Sequence, residues 1–216
     1  GQIRETNEKI VDVLGTVVEY RNLESGEHIK RVKGFTEILA KKAAEKYPEY
    51  GLTHEKIDVI VAASPLHDIG KISIKDSVLL KPGKLTKEEF EYMKTHTTKG
   101  CEILKKIAGT WSEEYEHVSY EICRHHHERY DGKGYPDGLV GEAIPISAQL
   151  VSIADVYDAL VSERVYKKAI EKGKAYQMIL DGECGTFSPK LIECFQECRQ
   201  DFENLAGRYG MKNREK

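Results

Sequence analysis

The sequence predicts an all-α fold, a compact bundle of about eight helices, on three observations. Apolar residues recur at helical spacing in segment after segment, side chains able to cap a helix stand at the start of several, and the breaks between are rich in glycine and proline. With 216 residues, 40% of them hydrophobic, the chain can bury a good core as one domain.

Residues 2–20 carry Ile3, Ile10, Val13, Leu14, Val17 and Val18 among charges, the pattern of an amphipathic helix. Over 27–47 the pattern returns with Ile29, Val32, Phe35, Ile38, Leu39, Ala43 and Ala44, until Tyr47-Pro48 ends it. Thr53 caps a helix reaching about residue 66 that is apolar nearly all round, and so belongs at the centre of the bundle. Residues 73–85, with Pro82-Gly83, read as a loop; Thr86 and Glu89 then form a capping box for a helix leading to His96. Helices follow at about 97–108 and, after Ser112, at 113–126. The stretch from Asp131 to Leu139 is glycine-dense and contains Pro136, so it is a shaped loop; the acidic alternation and closing glutamate of a calcium loop are missing. An apolar helix spans 146–164, Ser188-Pro189 opens a last one over about 189–207, and 208–216 is a polar tail.

A net charge of −3 and a pI near 6.3 exclude the broad basic surface of a general nucleic-acid binder, so any phosphate must be met locally. No apolar run approaches the length of a membrane span and the start lacks a signal-peptide core, which makes a cytoplasmic protein the expectation. Five cysteines without a Cys-x-x-Cys pair read as free thiols of a reducing compartment.

The chemistry centres on His67-Asp68, which stand at the end of the apolar 53–66 helix and offer one nitrogen and one oxygen ligand to a divalent cation. His96, His126, His127 and Asp155 follow at the edges or inside of helical segments. Upstream, Glu24 and His28 are four apart, a spacing that puts both on one helix face if a helix covers them, although Ser25-Gly26 weighs against that helix. Asp155 lies in an apolar helix, where a carboxylate without a partner costs several kcal/mol and a metal is a natural partner; Asp158 reads as a supporting or surface group. Eight ligands exceed the needs of one ion, which points to two or three metals. Histidine and carboxylate donors without thiolate suit iron or manganese, with zinc, nickel, cobalt or magnesium as alternatives. Clustered cations activate a shared water for in-line attack on phosphorus, and Lys71, one turn beyond Asp68, is placed to neutralise charge developing on a phosphate oxygen. Lys71 and Asp68 are therefore the candidate catalytic pair. Arg31 reads equally well as a solvated side chain.

These residues carry a specific resemblance. His67-Asp68-Ile-Gly-Lys71, Leu80-Lys-Pro-Gly-Lys-Leu-Thr86, His96, His126-His-Glu-Arg129, Asp131-Gly-Lys-Gly-Tyr-Pro136 and the run from Asp155 to Lys167 resemble an HD-GYP domain, a branch of the HD phosphohydrolase superfamily, with a match from about Glu24 to about Phe195. Lys75 departs from the family, whose members usually carry proline there. The resemblance aligns His126 and His127, rather than His125, as ligands. It implies an HD-type helical bundle with iron frequent in the site, Gly134 and Tyr135 at the lip of a substrate groove, and Arg164 and Lys167 gripping phosphate. It further implies hydrolysis of cyclic di-GMP to linear pGpG and then GMP. The alternatives are another cyclic dinucleotide such as cyclic GMP-AMP, a nucleotide, or a non-catalytic module that senses the dinucleotide. Residues 1–22 are expected to be a linker helix from an upstream sensor or receiver domain, with a homodimer formed through it, or equally an ordinary first helix of the domain; residues 23–207 are expected to be the phosphohydrolase domain.

Overall fold

The structure, a computed structural model, describes residues 2–22, 26–163 and 168–212. Its helices are α1 (Gln2–Arg21), α2 (Glu27–Lys46), α3 (His54–Ala63), α4 (Asp76–Leu79), α5 (Lys87–Lys94), α6 (His96–Lys106), α7 (Glu113–His125), α8 (Ile146–Val161), α9 (Lys172–Leu180), α10 (Pro189–Glu197) and α11 (Arg199–Lys212). Short 3-10 turns at Ser64–Leu66 and Ile69–Ser73 follow α3. Among the described residues there is no strand, only an isolated bridge between Asp131 and Val140.

The expected caps form. Thr53 accepts from the Lys56 amide, Ser112 from that of Tyr115, and Thr86 with Glu89 makes the full capping box. Three departures raise the expected helix count. A single turn, α4, interrupts the loop over 73–85, and the short α9 is capped by Glu171, whose carboxylate accepts from the Gly173 and Lys174 amides. The last helix is two, because Cys198 leaves helical geometry at φ −91° and ψ 7° between α10 and α11.

The main core surrounds α2, which buries Val32, Phe35, Leu39, Ala40 and Ala43. Phe35, Tyr157, Phe195 and Phe202 pack there ring against ring, with centroids 4.8–5.8 Å apart. A smaller core of Val11, Val18, Leu66, Ile69, Cys101, Leu104 and Cys123 joins α1, the turns after α3, α6 and α7.

The turn after Asp68 meets α6 backbone to backbone. A Cβ on Gly70 would lie 1.8 Å from the His96 carbonyl oxygen and 2.5 Å from the Gly100 amide nitrogen. Only glycine allows this crossing, and the crossing sets His96 beside Asp68. Gly70→Ala is therefore expected to destabilise by about 3 kcal/mol, the upper range for overpacking, because the obstacle is backbone. Denaturant midpoints at unchanged slope check this, and a loss under about 1 kcal/mol would mean the crossing gives way easily.

Candidate metal centre

Pro65 turns the chain out of α3 into the 3-10 turn, and residues 64–70 are buried throughout. His67 and Asp68 thus sit in the interior where the apolar helix ends, as its composition requires. His67 Nδ1 lies 2.8 Å from the Ser64 carbonyl, His96 Nδ1 2.8 Å from that of Met93, and His126 Nδ1 3.0 Å from that of Ile122. A carbonyl only accepts, so in each ring Nδ1 donates and Nε2 is the nitrogen turned inward. His28 is held in the same manner by a carboxylate, with Nδ1 2.6 Å from Asp158 Oδ2.

The free nitrogens converge. Asp68 Oδ1 stands 3.2 Å from His96 Nε2 and 3.6 Å from His126 Nε2, and the donor atoms of Asp68, His96, His126 and His127 lie within 4.8 Å of one another. Asp155 Oδ1 is 3.7 Å from both His28 Nε2 and His67 Nε2, and His67 Nε2 is 3.4 Å from Asp68 Oδ2, so His67 joins the two ends. Lys71 Nζ donates to Asp68 Oδ2 at 2.5 Å. Nε2 of His67, His96 and His126 and Oδ1 of Asp68 are buried without a hydrogen-bond partner. Each such group costs roughly 1–3 kcal/mol, and four aimed at one another are what a divalent cation relieves. The donor set of imidazoles and carboxylates fits such ions, and its two ends offer room for more than one.

The charges are arranged unevenly. Burial opposes protonation of His67, but the charge of Asp68, then of Asp155 and Glu19, outweighs it and raises the imidazole to about 10. Burial likewise opposes charge on His28, and the Asp158 hydrogen bond with the Glu19, Asp158 and Asp155 charges holds it above its ordinary value. Desolvation pushes His126 down and His127 well down, the neighbouring imidazoles adding to it. Asp68, though burial works against its charge, is held well below the carboxylate range by Lys71 and His67. A cation must therefore displace a proton from His67 at any pH below about 10. Metal affinity is expected to climb with pH from neutrality towards that value, by up to about tenfold per unit for each proton released. Calorimetric titration in buffers of different ionisation heat counts the protons; affinity independent of pH would exclude this competition.

Of the expected ligands, the structure brings together His28, His67, Asp68, His96, His126, His127 and Asp155. Glu24, Arg164 and Lys167 lie outside the described residues. The helix presenting His28 is described from Glu27, with Gly26 as its cap. Asp155 keeps 18% of its side chain exposed, and Asp158, read as a supporting or surface group, is the fully buried one. Asp158 bonds His28 and Arg31, so Arg31 is interior rather than solvated. His125 is a neighbour, 3.5 Å from Asp137.

The glycine loop folds back on the end of α7. Glu128, buried, accepts from the Asp137, Gly138 and Leu139 amides, and Arg124 pairs with Asp137 through two bonds of 2.7 Å. A Cβ on Gly134 would lie 2.3 Å from the Arg129 nitrogen, so this glycine is required by backbone contact rather than by an open groove. Tyr135 stacks on His127 with centroids 4.8 Å apart and walls that side of the cluster. One residue escaped the sequence reading. Glu19 is 1% exposed on α1 and belongs with His28 and His67 in a second group of convergent donors. Its signal was available: Val11, Gly15 and Val18 mark a helical stripe, and Glu19 lies on it.

A family model described as HD domain matches residues 24–190. The chain is 41% identical to a cyclic di-GMP phosphodiesterase of Vibrio cholerae serotype O1 over 96% of its own length and 43% of that protein. It is 40% identical to the 3'3'-cGAMP-specific phosphodiesterase 2 of the same organism, over 93% of this chain and 36% of that one. The chain therefore spans less than half the length of these two relatives. Among solved structures, a cyclic GMP-AMP specific phosphodiesterase of V. cholerae superimposes with a TM-score of 0.61 at 16% identity, covering 92% of this chain and 52% of that one, which concerns the fold alone.

Proposed function

Because the chain belongs to the HD domain family, we propose that it is a metal-dependent phosphodiesterase that hydrolyses cyclic di-GMP to linear pGpG and GMP. The observation that carries this reading is the convergence of buried, unpaired imidazole nitrogens with Asp68 at one point of the interior. The activity named for the relative at 41% identity supports the substrate. His28, His67, Asp68, His96, His126, His127 and Asp155, with Glu24 as an eighth donor, would hold two or three divalent cations, for which iron or manganese is the first choice. Such cations supply an acidified water and neutralise the charge of a phosphodiester. Asp68 turns Oδ1 to His96 and His126 and Oδ2 to His67 and Lys71, and so fixes an ammonium group at the rim of the cluster, where it meets charge developing on phosphoryl oxygens. Tyr135 covers His127 and limits water on that side.

Arg164 and Lys167 complete the proposal as phosphate grips. Arg164→Ala and Lys167→Ala are each expected to raise KM about tenfold or more, the worth of a hydrogen bond to a charged group, with the metal count unchanged. An unchanged KM in both would assign them to solvent.

The decisive experiment loads the protein anaerobically with iron or manganese and follows cyclic di-GMP and 3'3'-cGAMP by product chromatography. Release of pGpG or GMP supports the proposal. A higher kcat/KM for 3'3'-cGAMP would favour the second reading, which the relative at 40% identity supports; binding without cleavage would make the domain a sensor. No described helix is long and apolar enough to cross a membrane. For partners, α1 leaves Ile10, Val13, Val17 and Tyr20 exposed at alternating spacings of three and four, the seam of a two-stranded coil. This seam supports a homodimer through the linker helix, by which an upstream sensor or receiver domain would reach the site.

A further inference from the structure

We propose that Glu19 is a carboxylate donor to the cation at the His28–His67 end of the cluster, which makes α1 a working part of the catalytic centre and more than a linker. The inference rests on the metal-dependent reading above.

Three observations carry it. Glu19 is 1% exposed, so its carboxylate belongs to the interior that the cluster occupies. Its Oε1 lies 4.0 Å from His28 Nε2, and the donor atoms of Glu19, His28 and His67 fall within 4.8 Å of one another. That separation is too long for a hydrogen bond. It suits two donors on one ion, since bonds of about 2.1 Å place such atoms roughly 3–4 Å apart. Asp155 Oδ1 stands 3.7 Å from each of the two imidazole nitrogens and borders the same end of the cluster. His28 has its Nδ1 engaged by Asp158, so the nitrogen it turns towards Glu19 is the ligating one.

The third observation is how firmly α1 is registered against the His67-Asp68 turn. A Cβ on Gly15 would lie 2.9 Å from the Pro65 carbonyl oxygen, two residues before His67. On the other side of Glu19, the Arg21 guanidinium donates to the carbonyls of Lys71, Ile72 and Ile74 at 2.8, 2.7 and 2.6 Å and to the Asp76 carboxylate at 2.8 Å. Glu19 is thus held in place relative to His67 from both ends of its helical turn.

The test is titration of metal-free protein with Mn2+, counting bound ions and their affinities by electron paramagnetic resonance and elemental analysis. Wild type, Glu19→Gln and Glu19→Asp are compared, with circular dichroism to verify folding. Glu19→Gln is expected to weaken one ion at least tenfold, the effect of losing a group that serves a metal site, while the ion at the Asp68, His96, His126 and His127 end keeps its affinity. Glu19→Asp keeps the charge but withdraws the carboxylate by one methylene. A ligand loses its ion in this variant as well, whereas a mere charge partner of His28 does not; should Glu19→Gln fail to fold, the Asp variant decides. Wild-type affinity, within threefold, in Glu19→Asp overturns the proposal, as does full occupancy in Glu19→Gln. Wild-type protein that binds no Mn2+ or Fe2+ overturns the metal-dependent reading itself, and this proposal with it.

Discussion

Asp68→Ala and His67→Ala are expected to leave a folded protein that has lost hydrolysis of cyclic dinucleotides by roughly a thousandfold or more. Removing one group that serves developing charge costs about 10²–10³ in rate. Asp68 combines two such duties, since Oδ1 faces His96 and His126 while Oδ2 holds Lys71. His67 is the ring common to both ends of the cluster, 3.4 Å from Asp68 and 3.7 Å from Asp155. Loss of either is expected to reduce metal content as well as rate. Circular dichroism verifies that each variant is folded before its rate is compared. Single-turnover assays on protein loaded to a known metal count are the check. Near-native turnover with full metal in either variant would place the catalytic centre elsewhere.

The largest loss of stability is expected away from the ligands, at Asp158. Its Oδ1 accepts from Arg31 Nε at 2.5 Å, and its Oδ2 from His28 Nδ1 at 2.6 Å and Arg31 Nη2 at 3.2 Å, with the whole residue at 0% exposure. Asp158→Ala strips a buried guanidinium of its counter-charge and, among the described residues, leaves it against the Tyr209 ring, 5.8 Å away. Breaking a buried pair on one side costs about 3–5 kcal/mol, and this should appear in urea unfolding of the metal-free protein. Asp158→Asn keeps an acceptor and loses the charge, so a smaller cost is expected. A loss below about 1 kcal/mol in Asp158→Ala would show that Arg31 reaches water at little expense.

The fold class and most of the candidate ligands were legible in the sequence because they depend on short-range patterns. Apolar periodicity placed α2, α3 and α8, and side-chain caps placed α5 and α7. His67-Asp68 declared itself by standing where an apolar helix stops; His96, His126 and His127 gained meaning from the family resemblance, since an isolated histidine looks alike in a site and on a surface. Asp155 and Asp158 show where local pattern runs out. Three residues apart on α8, they point about 60° from each other, one to the histidines at the rim and the other into the packing against α2. Which would be fully buried depended on Arg31, whose position relative to α8 no spacing rule supplies. The break at Cys198 was hidden because Cys194, Phe195, Cys198 and Phe202 continue one apolar stripe through it. Glu19 was legible only through the Val11, Gly15 and Val18 stripe on which it lies, a signal diluted by the apolar residues on the other face of α1.

The presence of two cores bears on how the molecule comes apart. The larger one locks its aromatic rings around α2, α8, α10 and α11, and α7 is shared with the smaller one around α1 and α6, giving Val118 and Ile122 to one and Cys123 to the other. The ligand set lies along the seam, with His28 and Asp155 on one bank and Glu19 and His96 on the other. A seam lined by charged and polar side chains gains less from apolar burial than either core, so in the metal-free chain the smaller core is expected to open as a unit while the aromatic cluster stays closed. Amide protons of α1 and α6 would then exchange with solvent at a lower opening free energy than those of α2 and α8. Cations bound across the seam would act as rivets, and the free energy of loading would be read as the slowing of exchange in those two helices.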